Sequence, residues 1–80
     1  MNTNNIIINI FNKKGFDNYL NNNKTIKEQF IKNMDNDYKN DDPELSFNYD
    51  KWINIHNNST FIILIENNNY VASYRMKLYK

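Results

Sequence analysis

Residues 61–80, FIILIENNNYVASYRMKLYK, carry the clearest hydrophobic pattern in the chain. Tyr70, Ala72, Tyr74, Met76 and Leu78 alternate with Val71, Ser73, Arg75, Lys77 and Tyr79, the period of two expected of a strand. Three asparagines join this strand to the apolar run 61–65, so the stretch predicts a β-hairpin. A two-residue turn at Asn67-Asn68 or Asn68-Asn69 puts Phe61, Ile63 and Ile65 on the same face as Tyr74 and Met76. A three-residue turn would bring Ile62 and Leu64 there instead, because a slip of one residue exchanges the faces. Asparagine tolerates the positive φ angles of a type I′ turn, which favours the two-residue form. The pattern therefore predicts a last strand that buries Tyr74 and Met76 and presents Ser73, Arg75, Lys77 and Tyr79 outward.

The run NIIINIF at 5–11 is β-branched and predicts another strand. Ile6, Ile8 and Ile10 share one side, and Ile7 and Phe11 share the other with Asn9. Apolar residues on both sides predict an interior strand. Lys13-Lys14-Gly15 reads as a turn, 16–20 as a short helical turn and 21–24 as loop. Thr25 and Glu28 have the spacing of a capping box, with Thr25 as the N-cap of a helix over about 26–38. Ile26, Phe30, Ile31, Met34 and Tyr38 form its apolar stripe. A helix of this length is marginal alone and must pack on the sheet.

Residues 44–56, ELSFNYDKWINIH, fit two periods. A helix places Leu45, Tyr49, Trp52, Ile53 and His56 together but leaves Phe47 on the polar side. A period of two gathers Leu45, Phe47, Tyr49, Ile53 and Ile55, interrupted by Lys51. The residue types are poor helix formers, so extended structure is the favoured reading. Asp42-Pro43 is the counter-argument, since proline suits a helix's first position. The elements together predict one α+β domain over 1–80: two layers, with an antiparallel sheet of three to four strands packed by one main helix.

Composition narrows the chemistry. Asn, Ile, Lys and Tyr supply 19, 11, 9 and 6 of the 80 residues, a bias toward AT-rich codons. No cysteine is present, so neither a disulfide nor a thiolate metal site can staple the fold. The start MNTNNIIINIF lacks the basic residues and long apolar core of a secretory signal. The longest apolar run, 61–65, is far shorter than the roughly 20 residues of a membrane span. A cytoplasmic location without membrane contact is the expectation.

Net charge is +1 but segregated: +3 over 1–34, −5 over 35–50 and +3 over 51–80. His56 is the single histidine, so zinc ligation by histidine and cysteine has no set of partners. The stretch 35–46 lacks the glycine and terminal glutamate of a calcium loop. One glycine cannot build a phosphate-cradling loop. These features predict a non-enzymatic protein without cofactor or metal.

The order strand, helix, strand, strand, with its hairpin FIILIENNNYVASYRMKLY, resembles the front half of the GNAT acetyltransferases. That family's glycine-bearing acetyl-CoA pyrophosphate loop has no counterpart here, so the likeness implies an order of elements and no cofactor. In size, acidic patch and codon bias the whole chain is similar in kind to small inhibitors encoded by phages and mobile elements, including anti-CRISPR proteins. That resemblance implies a protein that occupies the surface of a larger complex, a nucleoprotein effector complex among the candidates. The acidic residues Asp35, Asp37, Asp41, Asp42 and Glu44 would oppose basic residues of such a partner. Trp52, Arg75, Lys77 and Tyr79 are the candidate contact residues, because Trp, Tyr and Arg are common interface anchors. Two other readings remain. A small RNA- or DNA-binding regulator would use the basic, tyrosine-bearing last strand. An accessory structural subunit would pair with itself.

Overall fold

The computed structural model describes residues 5–77. Among them the chain runs β1 (Ile6–Phe11), α1 (Lys13–Asn21), α2 (Lys24–Asp41), α3 (Tyr49–Ile55), β2 (Ser59–Glu66) and β3 (Asn69–Lys77). The strands form an antiparallel sheet in the order β1-β2-β3, and the helices pack on one of its faces. This is the α+β, two-layer arrangement that the patterning predicts, with α2 as its longest helix.

Local chemistry sets the helix boundaries. Asn12 caps α1, its Oδ1 accepting the Gly15 N–H at 2.8 Å, so 13–15 is the first helical turn and not a loop. A Cβ on Gly15 would lie 3.2 Å from Phe11 Cδ1, so glycine permits a close approach of helix and strand. Thr25 is not an N-cap. Asn23 holds that position, and its Nδ2 donates to the Tyr19 carbonyl at 2.7 Å, tying the end of α1 to the start of α2.

The favoured extended reading of 44–56 is corrected: the segment holds α3. Asn48 caps it by accepting the Lys51 N–H at 3.1 Å. The helix begins at Tyr49, so Phe47 precedes the cap and is not forced onto a polar side. Its ring packs 5.7 Å from Trp52, four residues into the helix, as a hydrophobic staple. Phe47 and Tyr49 are buried with Ile53 in the common core.

β2 is the central strand and alternates strictly, with Ser59, Phe61, Ile63 and Ile65 buried toward the helices. Phe61 stacks on Phe16 at 4.7 Å with an interplanar angle of 11°. Phe30, with no exposed surface, presents its ring edge-on to Phe16, Phe47, Tyr49 and Tyr70. β1 is an edge strand, contrary to the interior placement its two apolar sides suggest. Ile6, Ile7, Ile8 and Ile10 are all more than half exposed.

The hairpin has the two-residue turn expected. Asn67 and Asn68 adopt φ of 52° and 64°, the left-handed pair of a type I′ connection. Beyond it the register departs from the simple alternation. Ile65 pairs with Tyr70 and Leu64 with Ala72, so Val71 is an extra residue, a β-bulge. Gln29 of α2 braces this point: its Oε1 accepts the Tyr70 N–H at 2.8 Å and its Nε2 donates to Asn69 Oδ1 at 2.9 Å. The bulge exchanges the faces of everything after it. Ser73 and Arg75 lie opposite Ile63 and Phe61 on the helix side, whereas Tyr74 and Met76 are 60% and 53% exposed. The expected burial of Tyr74 and Met76 is therefore overturned: both face water, and Arg75 and Lys77 lie on the helix side of the sheet while remaining exposed. Leu78 and Tyr79 lie outside the described residues.

Candidate functional site

The register decides what the molecule shows to solvent. Ile6, Ile8 and Ile10 of β1 share a face with Ile62 and Leu64 of β2 and with Ala72, Tyr74 and Met76 of β3. No helix lies over this face among the described residues: Ile6, Ile8 and Ile10 are 55%, 62% and 66% exposed. The result is one apolar surface across all three strands, with Glu66 at one end and Thr60 at the other. Monomeric proteins seldom leave a continuous apolar patch of several hundred Å² in water, and such patches mark contact surfaces.

A second feature lies on the helix side. A groove of about 480 Å³ runs between α3 and β3, floored by Phe16, Trp52 and Phe61 and edged by His56, Tyr74 and Arg75. Arg75 Nη1 donates toward Ser59 Oγ at a long 3.5 Å. His56 ends α3 with its ring 5.2 Å from Trp52. Burial holds its imidazole below the ordinary 6.5, and the nearby charges of Arg75 and Lys77 act the same way. Protonation is thus easier in the unfolded chain, so His56 supports folding above about pH 6.5 and that support is lost as pH falls through its lower folded value. Urea midpoints between pH 7 and 5 should decline, and His56→Gln should flatten the decline. An unchanged slope in that variant would remove His56 as its source.

The acidic candidates divide. Asp35 serves the fold: it accepts from Lys39 Nζ at 2.6 Å and from the Phe47 N–H at 3.0 Å, which anchors the entry to α3. The Lys39 hydrogen bond, then the Phe47 N–H, hold its carboxyl below the usual value. Asp42 is the C-cap of α2 and accepts the Glu44 N–H at 3.0 Å. Asp37, Asp41, Asp42 and Glu44 are exposed around the C-terminal end of α2. Acidic groups there meet the negative end of the helix dipole, so they do not stabilise the helix.

The remaining candidates separate as well. Trp52 is no free anchor: it packs on Phe16, Phe30, Phe47 and Phe61 with centroid distances of 5.5–6.4 Å. Arg75 faces the groove, and Lys77 follows it on the same side of β3. Tyr79 lies outside the described residues. Lys13, at the start of α1, donates to Asn57 Oδ1 at 2.7 Å. Among the described residues no three His, Asp or Glu side chains gather to hold a metal, and no helix is long and apolar enough to cross a membrane.

The outer sheet face is a site that the predicted contact residues do not include, though its signal is in the sequence. Both β1 and β2 are apolar on two sides, and the predicted helices could cover one. No family model, curated protein or solved structure matches the chain.

Proposed function

We propose that the chain is a non-enzymatic protein-binding domain that acts by occupying another protein's surface, in the manner of a small inhibitor. The apolar outer face of the sheet carries this reading. It spans β1, β2 and β3, holds no charged residue between Glu66 and Thr60, and is left uncovered by the helix layer. Removing such a face from water supplies affinity, and its large side chains, Tyr74 and Met76, suit interface cores. The exposed carboxylates of Asp37, Asp41, Asp42 and Glu44 supply a separate acidic end. Opposite a basic surface, as a nucleic-acid-handling complex presents, they would speed and orient encounter rather than hold the complex. Direct nucleic-acid binding draws no support from the outward side of β3, which bears Ala72, Tyr74 and Met76.

The two surfaces make separable predictions. Immobilised wild-type chain should retain a protein partner that the Ile10→Lys variant loses. Reversing Asp41 and Asp42 to Lys should slow association by about tenfold at low salt while dissociation changes little. Equal retention by wild type and Ile10→Lys would overturn the reading.

A further inference from the structure

We infer that the protein seated on the outer sheet face is a second copy of this chain, joined face to face about a two-fold axis. The inference rests on the reading of that face as a docking surface and gives it one occupant, a second copy, in place of a foreign protein. Three observations carry it: size, charge and shape.

The exposed parts of Ile6, Ile8, Ile10, Tyr74 and Met76 amount to on the order of 500 Å², taking each whole side chain as roughly 150–200 Å². Ile62, Leu64 and Ala72 are part-exposed between them and add to this. Two copies would then bury on the order of 1,000–1,200 Å² in total, the lower end of the range for specific association. Such an area, almost wholly apolar, fits a dimer that forms in the micromolar range.

Charge also permits a copy. A two-fold interface sets each surface against itself, so like charges near its centre would repel. The centre of this face has none. Glu66 sits at one end and Thr60 at the other. An axis in the interface, perpendicular to the strands, inverts strand direction between the copies. It carries each Glu66 over the other copy's Thr60 and keeps the two carboxylates at opposite ends.

Shape follows from the register. Ile8, Leu64 and Ala72 form one row across the sheet, and Ile10, Ile62 and Tyr74 form the next. The same axis lays each row over the other row of the second copy. Ile8 then meets Ile10, Leu64 meets Ile62, and the Tyr74 ring falls over the small Ala72. Face-to-face sheets pack about 10 Å apart with interdigitating side chains, and the Tyr74-over-Ala72 contact leaves room for the largest of them. The Val71 bulge creates the fit, because it turns Ala72 and Tyr74 outward. In the dimer both acidic ends of α2 remain in solvent, available to a further partner.

Sedimentation velocity from about 1 to 200 µM brackets the affinity such an area supports. The wild-type mass should rise with concentration from 9.7 kDa toward twice that value. Ile8→Lys and Tyr74→Lys should stay monomeric, with dimer affinity weakened at least about 100-fold, because each substitution enters the interface twice. Their far-UV circular dichroism should match the wild type, which separates lost association from lost fold. A wild type of 9.7 kDa at every concentration overturns the inference, as does a dimer that survives both substitutions. An apolar-surface dye then distinguishes the two levels. A monomer that binds dye, and loses it in Ile8→Lys, overturns the second copy but leaves a docking face for another protein. A monomer without that difference overturns both.

Discussion

Phe30→Ala should leave the chain largely unfolded at 25 °C. Phe30 has no exposed surface and sits where α2 meets α3 and β3. Its ring contacts Phe16 at 5.6 Å, Trp52 at 5.5 Å, Tyr70 at 5.8 Å and Phe47 at 6.0 Å, so truncation empties a space walled by rigid rings. Such rings cannot collapse into the gap as flexible side chains would, and the loss should fall at about 3–5 kcal/mol. A chain of this length has a total stability on the order of 4–12 kcal/mol, and small domains sit toward the lower end. Urea unfolding followed by tryptophan fluorescence measures the change through Trp52. Phe30→Leu, which keeps most of the volume, should retain a cooperative transition. A loss below about 1 kcal/mol for Phe30→Ala would mean that the space refills and that Phe30 is not the centre of the core.

The second large effect is a contrast between two isoleucines on opposite faces. Ile63→Lys should abolish folding, and Ile8→Lys should leave it intact. Ile63 is fully buried beneath the helices, whereas Ile8 is 62% exposed on the outer face. An ammonium at position 63 would have to stay in the core without a partner or be drawn out by opening the helix layer. Either costs several kcal/mol, comparable with the whole stability of the domain. An ammonium at position 8 remains in water and removes only solvent-facing apolar surface. Far-UV circular dichroism and thermal melts of the two variants at low micromolar concentration give the answer directly. Similar melts for both would mean that the sheet's faces are not divided as described.

Much of the fold is legible in the chain's local pattern, and its failures have identifiable causes. The capping-box spacing of Thr25 and Glu28 places α2 within a few residues, but Asn23 holds the N-cap position through its backbone carbonyl, which accepts the Lys27 N–H, while its side chain donates to the Tyr19 carbonyl. The periodicity of 44–56 misleads because it treats Phe47 as part of the element that follows. Asn48 followed by Lys51 and Trp52 carries the cap and staple, and that signature outweighs poor helix propensity once Phe47 has a core to enter. Of the candidate contact residues, the pattern separates exposed carboxylates such as Asp37 and Asp41 from the core. It cannot show that Asp35 is held by Lys39 and the Phe47 N–H, because Phe47 lies twelve residues away.

What the sequence determines by itself is β1, α2, β2 and β3, a two-residue asparagine turn between the last two strands, and the alternation of β2 with Phe61, Ile63 and Ile65 on one side. What only the tertiary structure decides is the side on which each half of β3 falls and which apolar face of the sheet stays open. Alternation says that neighbouring residues oppose one another; it cannot announce an extra residue in the ladder. The Val71 bulge is braced from outside the strand, by Gln29 of α2 at the Tyr70 N–H, and so depends on where that helix packs. The open face has the same origin. β1 and β2 offer apolar side chains in both directions, and three helices that all pack on the Phe61 side leave Ile8, Ile10, Tyr74 and Met76 in water.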